Sequence, residues 1–108
     1  MPGTMIPRGN IREIYMIAPS LTPSQVGANT SSAQSFTVRG LLTNDMVDIV
    51  SNSAQTAGIG IANTRITAND TLEITFMNST GSGATPVAGI YTIRIHRPEN
   101  ATLPVNAV

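Results

Sequence analysis

Apolar and polar residues alternate most regularly in the second half of the chain, within residues 61–95. Single polar residues separate the members of two apolar triplets: Leu72, Ile74 and Phe76, then Tyr91, Ile93 and Ile95. Because successive side chains of a β-strand point to opposite sides, a period of two residues is typical of half-buried strands. The pattern therefore predicts two antiparallel strands whose apolar triplets face a core.

Weaker versions of the same pattern recur along the rest of the chain. We expect strands at residues 11–18, 33–39, 46–51, 59–67, 71–77 and 90–96. In the fourth of these, the apolar phase slips between Ile61 and Ile66, which predicts a β-bulge. Short strands at regular spacing, without a 3.6-residue apolar period, predict an all-β fold. We expect a single antiparallel β-sandwich or a jelly-roll-like barrel.

Proline and glycine mark the ends of this domain. Four such residues fall within the first ten: Pro2, Gly3, Pro7 and Gly9. They exclude a continuous helix or a central strand there. Residues 1–10 are therefore expected to form an extended N-terminal arm, residues 11–97 the β-sandwich domain and residues 98–108 an extended C-terminal tail. Residues 19–32 and 78–89, rich in turn-forming residues, are interpreted as long loops.

The composition favours a neutral structural protein. The 108 residues fit one domain with a core of its own. Six basic residues balance six acidic ones, and a net charge of zero argues against nucleic-acid or anionic-membrane partners. The absence of cysteine excludes disulfides and thiolate metal sites. A surface poor in charge is buried against another protein at little desolvation cost, which points to a place within an assembly.

Reactive side chains are few and scattered. His96 is the only histidine, and no nucleophile elbow or positioned base accompanies it. The carboxylates fall on turns and outward strand faces, without the spacing of a calcium loop or of a glycosidase pair. The longest apolar run, residues 14–18, is too short to cross a bilayer. We therefore expect no enzyme activity, no cofactor or metal, and no nucleic-acid or membrane partner.

Three short motifs lie within or beside the alternating segment. They are Asn63-Thr64-Arg65, Asp70-Thr71-Leu72 and Thr85-Pro86-Val87-Ala88-Gly89-Ile90-Tyr91. Together these motifs resemble small β-rich virion proteins of tailed bacteriophages, in particular the capsid decoration, or cement, class. The resemblance covers about a third of the chain and carries no catalytic residues.

This resemblance implies a function and a set of partners. It implies a non-enzymatic structural protein that binds and stabilises the phage capsid shell. Such a protein lies on the outer capsid surface of a virion assembled in the host cytoplasm. The implied partners are the major capsid protein and further copies of the chain, in a homo-oligomer that is expected to be a trimer at local three-fold positions.

Contacts with the capsid or with other subunits are expected from the arms and from residues near the 78–89 loop. The candidates are Met1, Met5, Ile6, Arg8, Met77, Thr85, Pro86, Leu103, Val105 and Val108. Exposed methionines suit a partner surface because their side chains adapt to it. Met46 and Met77 are outward in the strand pattern, unless a bulge turns them inward.

An alternative function is a β-sandwich recognition module of a phage tail, a fibre or a cell surface that binds carbohydrate. Sugar binding usually relies on exposed aromatic rings. The chain has only two tyrosines and two phenylalanines, and at least three of the four fall on predicted core faces. A small hydrolase is a third hypothesis, with no constellation of residues to support it.

Overall fold

The alternating segments form β-strands in the structure, a computed structural model that describes residues 10–50 and 54–100. The strands of these two ranges are β1 (Ile11–Ile17), β2 (Ser20–Leu21), β3 (Thr30–Thr37), β4 (Met46–Val50), β5 (Ile59–Ala68), β6 (Thr71–Asn78), β7 (Gly89–Ile90) and β8 (Thr92–Pro98). The expected all-β fold is confirmed. Over the described ranges, the chain contains no helix long and apolar enough to span a membrane.

The strands pair antiparallel in two main sheets. One sheet has the order β1-β8-β4 and the other the order β3-β6-β5, while the short strands β2 and β7 pair with each other. The central strands β6 and β8 are the two segments with the most regular alternation. Antiparallel sheets with one buried face account for that period of two residues. The finer choice between a sandwich and a jelly-roll barrel stays a prediction.

One hydrophobic core collects both apolar triplets. All six side chains are fully buried: Leu72, Ile74 and Phe76 from β6, and Tyr91, Ile93 and Ile95 from the β7–β8 segment. The ring of Phe76 meets the ring of Tyr91 edge-on, with 6.3 Å between the centroids, so the two triplets are in direct contact. Burying each such side chain contributes about 1.5–3 kcal/mol.

The predicted bulge in the fourth strand is confirmed. The register of β5 against β6 shifts between Ile61 and Asn63, which is where the apolar phase slips, and again between Ile66 and Ala68. An extra residue reverses the side to which later side chains point. As a result, Ile61 and Ile66 both pack against the core.

The two predicted long loops are joined to each other. Val26 N donates to Ala84 O at 2.8 Å, and Ala84 N donates to Val26 O at 3.0 Å. The buried amide of Asn78 donates to Val26 O at 3.1 Å and to Ser82 O at 2.9 Å. Its oxygen accepts bonds from the backbone N–H and the hydroxyl of Thr80, at 2.9 and 2.7 Å. The hydrogen-bonding capacity of this buried amide is thus filled, as its burial requires.

Strand boundaries depart from the predicted ones where the sequence lacks apolar residues. β3 begins at Thr30 rather than at residue 33, because polar residues 30–32 pair with β6. β2 lies inside the predicted loop at residues 19–32. Neither segment carries an apolar period, since the pairing is made by backbone groups.

The first strand and the last strand lie side by side. β1 pairs with β8, and just beyond them Glu99 N donates to Asn10 O at 2.8 Å. β8 runs to Pro98, one residue past the expected end of the domain. The predicted arm and tail fall mainly on residues 1–9 and 101–108. Seven contact candidates lie there, outside the described residues: Met1, Met5, Ile6, Arg8, Leu103, Val105 and Val108.

Gly58 lies at the turn into β5, and a substitution there tests the backbone conformation of that turn and its contact with Thr80. Its φ is +84°, a left-handed conformation that favours glycine, and a Cβ there would collide with the methyl group of Thr80. We expect Gly58→Ala to lower the free energy of unfolding by about 1–2 kcal/mol in urea denaturation. Gly60→Ala is the control, because a Cβ at that position in β5 meets no atom within 4 Å. Equal stability of the two variants would contradict the structure.

Candidate binding face

The outward side of the β1-β8-β4 sheet concentrates exposed apolar side chains. The strand register places two rows across it: Ile14, His96 and Met46, then Met16, Arg94 and Asp48. We name these six residues the outer face. Ile14, Met16 and Met46 are 62%, 60% and 67% exposed. Exposed apolar side chains that share one face of a sheet mark surfaces at which proteins contact other molecules.

A third row extends the outer face towards the ends of the chain. The register of β1 shifts between Ile11 and Glu13, and this bulge brings Ile11 opposite Pro98, on the same side as His96. Ile11 is 42% exposed. Exposed apolar residues therefore run along β1 as far as the end of the sheet where both terminal segments join it.

Charged residues occupy the middle of the outer face. The guanidinium of Arg94 donates to the carboxylate of Asp48 at 3.0 Å, and His96 Nε2 lies 4.0 Å from the same carboxylate. Because the Arg94–Asp48 pair is about half exposed, it adds little to the stability of the free protein. A partner that covers the face meets charges that are already paired, which lowers the cost of burying them.

A buried ion pair lies on the core side of β8, beneath the outer face. Arg97 donates two bonds to the carboxylate of Asp45, both at 2.9 Å, one to the Tyr15 hydroxyl at 2.8 Å and one to Gly40 O at 2.7 Å. The Asp45 side chain is fully buried and also accepts a bond from Leu42 N at 3.0 Å. Bidentate geometry and filled hydrogen bonds are the conditions under which a buried ion pair is tolerated.

This ion pair positions the strands that carry the outer face. Along β1, Tyr15 lies between Ile14 and Met16, so the bond to its hydroxyl fixes the residues that flank it. Asp45 directly precedes Met46 at the start of β4. The guanidinium also lies over the Tyr15 ring, 5.4 Å from its centroid. Contacts from one side chain of β8 thus reach β1 and the residue directly before β4.

The electrostatics of the buried pair keep it charged. Burial raises the pKa of Asp45, but hydrogen bonds from Arg97 and from the Leu42 amide outweigh that effect, and the pKa lies below its usual value. The bond to Asp45 in turn raises the pKa of Arg97. Burial raises the pKa of Tyr15, so its hydroxyl stays protonated at neutral pH.

The contact candidates that the structure describes lie away from the outer face. Met77 is on the outward side of β6, is 50% exposed and lines an open depression of about 450 Å³. Thr85 is exposed, whereas Pro86 is fully buried and presents no surface to a partner. Met46 is exposed, as its place in the strand pattern indicated. Met46 and Met77 therefore lie on different sheets.

The sequence pattern gave no indication of Ile14 and Met16. Apolar residues occupy both sides of β1, because Tyr15 and Ile17 pack against the core while their neighbours face outward. The bulge near the start of β1 breaks the period further. The apolar run at residues 14–18 was the one available signal. A strand that is apolar on both sides is covered on both sides, so such a run indicates a second contact surface.

The chemistry that the outer face offers is apolar contact area around one ion pair. Within residues 10–50 and 54–100, no group of three or more histidine, aspartate or glutamate side chains is arranged to hold a metal ion. His96 is about one-third exposed and has Asp48 as its charged neighbour.

Comparisons with known proteins identify no relative of this chain. No protein-family model, curated protein or solved structure matches the chain. The resemblance to capsid decoration proteins therefore stays a prediction from the sequence. Function is inferred from the geometry of the outer face and of the strand edges.

Removing the buried charge of Asp45 tests how much its ion pair with Arg97 stabilises the fold. We expect Asp45→Asn to lower the free energy of unfolding by about 3 kcal/mol at neutral pH, because Arg97 then loses the buried carboxylate to which it donates two bonds. Its remaining carboxylate partner, Glu13, is half exposed and 3.4 Å away. Since the folded-state pKa of Asp45 is lowered, its contribution is present above the unfolded pKa of about 4 and is lost as the pH falls further. Urea denaturation of the wild type and of Asp45→Asn over a pH series measures the difference between their free energies of unfolding.

Asp48→Asn is the matched control for this experiment. It removes the same charge from an exposed pair, and we expect a change within about 0.5 kcal/mol. An Asp45→Asn effect as small as that of the control, or one that stays constant as the pH falls below about 4, would refute the stabilising role of the pair.

Proposed function

We propose that this protein is a non-enzymatic structural virion protein that binds a bacteriophage capsid shell and stabilises it, as decoration proteins do. The observation that carries the proposal is the outer face, where Ile14 and Met16 on β1 and Met46 on β4 are exposed on either side of β8. A second support is the resemblance of the sequence motifs to that class of virion protein. The proposal places the protein on the outer capsid surface, with the major capsid protein as its partner.

The form of the outer face suits a protein partner. Its side chains stand on a sheet in register, so they present a broad surface and do not converge on one point. Methionine side chains adapt to the shape of a partner, and methionine and arginine are both enriched in protein interfaces. Covering apolar surface contributes about 25 cal/mol per Å², from which the cost of association is subtracted.

The terminal segments join the sheet next to this surface. The hydrogen bond from Glu99 N to Asn10 O holds the first and last described segments together beside Ile11. In the proposal, contacts from residues 1–9 and 101–108 add to those of the outer face. Ordering each residue costs about 1–2 kcal/mol of backbone entropy, so several contacts have to act together. Self-association is part of the proposal, because linked copies gain avidity on a capsid lattice.

The carbohydrate-binding alternative has no aromatic platform to support it. Phe76 and Tyr91 are fully buried in the core. Tyr15 and Phe36 are partly buried and pack against the core, and the Arg97 guanidinium lies over the Tyr15 ring. These four are all the aromatic residues of the chain.

Binding to capsids tests the proposed function. We expect the purified protein to co-sediment saturably with empty expanded heads of the phage that encodes it. Met16→Glu and Met46→Glu should each weaken this binding about tenfold or more, because each places a charge in the apolar contact. Ile90→Glu is the matched control, since Ile90 is 53% exposed but lies in the small β2–β7 pair.

Two results would count against separate parts of the proposal. If the wild type does not bind the heads, the decoration function is wrong. If it binds and both methionine variants bind equally well, the function stands but the outer face is not the contact surface. Circular dichroism of each variant shows whether the fold is retained.

A further inference from the structure

We propose that the outer edge of β3 is a self-association surface, at which β3 of a second copy pairs to form one continuous antiparallel sheet. β3 is an edge strand of the β3-β6-β5 sheet, and all eight of its residues pair with β6 without a shift in register. A regular edge strand presents the N–H and C=O groups of every second residue outward. Those groups are a template for another strand.

No other described segment occupies this edge. Within residues 10–50 and 54–100, the backbone bonds made near β3 outside its sheet belong to its flanking residues: Asn29 N donates to Thr80 O, and Val38 N donates to Asp70 O. The Gln34 side chain exchanges two bonds with the backbone of Ser24, at 2.7 and 2.9 Å. Those bonds use a side chain and leave the main chain of β3 available.

The other strands at sheet edges carry features that hinder pairing. β1 has a bulge near its start, where Arg12 and Glu13 form an ion pair at 3.4 Å. β5 has two register shifts and lies beside β4, where the Thr64 hydroxyl donates to Val47 O at 3.1 Å. Bulges, charges and cover are the usual protections of an edge strand. β3 has no bulge, and it contains no charged residue, proline or glycine.

The side chains of β3 suit pairing with an identical strand. A two-fold axis normal to the sheet keeps the core sides of both copies on one side, so residues meet only residues of the same side. The outward set is small: Ser31, Ala33, Ser35 and Thr37. The half-buried set on the other side is Ser32, Gln34 and Phe36. Small side chains allow the strand spacing of about 4.8 Å, and Phe36 gains apolar cover from the second copy.

Charge favours a second copy as the occupant. In a two-fold contact, charged residues close to the axis approach their own copies, and a strand without charges avoids that repulsion. The net charge of zero removes long-range repulsion between whole molecules. Because β3 lies in the sheet that does not carry the outer face, pairing at β3 and capsid binding at the outer face are tested by separate variants.

Sedimentation equilibrium of the full chain over a concentration series tests the pairing. We expect a monomer of 11.3 kDa in equilibrium with a species of twice that mass. Ala33→Lys should raise the dissociation constant of the dimer about tenfold or more, because a lysine on the edge has to be desolvated beside its own copy. Asn63→Lys is the matched control, with an expected change of less than about twofold. Asn63 is exposed and shares a row with Ala33, but it lies on β5.

Disulfide trapping gives a second readout in this cysteine-free chain. Pairing along the full length of β3 places the two-fold axis near Ala33, next to the centre of the strand, so the two copies of this residue lie opposite each other. On mild oxidation, Ala33→Cys should therefore form a covalent dimer whereas Asn63→Cys stays monomeric. A wild type that stays monomeric, or that forms trimers without dimers, would overturn the proposal. So would equal weakening by both lysine variants or equal trapping of both cysteine variants.

Discussion

The ion pair between Arg97 and Asp45 joins parts of the chain that are distant in sequence. One guanidinium on the last strand bonds a carboxylate from the middle of the chain and the hydroxyl of Tyr15 on the first strand. The loop that supplies Asp45 is also tied to the β5–β6 turn, where Gly40 N donates to the Asp70 carboxylate at 2.8 Å. Both sheets therefore meet at this loop. A buried charge without its partner is costly, so the position of each group depends on the others.

Elsewhere, hydrogen bonds between neutral groups join segments that are distant in sequence. The hydroxyl of Tyr91 donates to Val87 O at 2.7 Å and accepts a bond from the Gln55 amide at 3.0 Å, while the Gln55 oxygen accepts a bond from Val87 N at 2.8 Å. Val87 and Tyr91 belong to the Thr85–Tyr91 motif, and Gln55 joins it from a distant loop. The motif thus has a physical role in this chain: it holds a proline-containing loop against the core.

Features that depend on the alternation of apolar and polar side chains could be predicted from the sequence. Features that depend on backbone pairing between strands could not. Leu72 and Ile93 were assigned to the core because single polar residues flank them, and the phase slip after Ile61 revealed a bulge. β3 was predicted to start three residues late, because Thr30 and its neighbours enter the sheet through backbone bonds that leave no apolar period. The part of the outer face that β1 contributes, Ile14 and Met16, was missed for the opposite reason: β1 is apolar on both sides. Register between distant strands, which sets the rows of that face, is not written in any local pattern.

The order of the strands along the chain has a consequence for synthesis. β8 is the central strand of its sheet and follows β1 and β4 in the chain, so β1 and β4 have no partner in their sheet until β8 has been synthesised. The β3-β6-β5 sheet, by contrast, is complete once Asn78 has been made. We therefore expect assembly from the second sheet to the first, with long sequence separation slowing the final step. Until then, the apolar residues of β1 remain uncovered on a nascent chain.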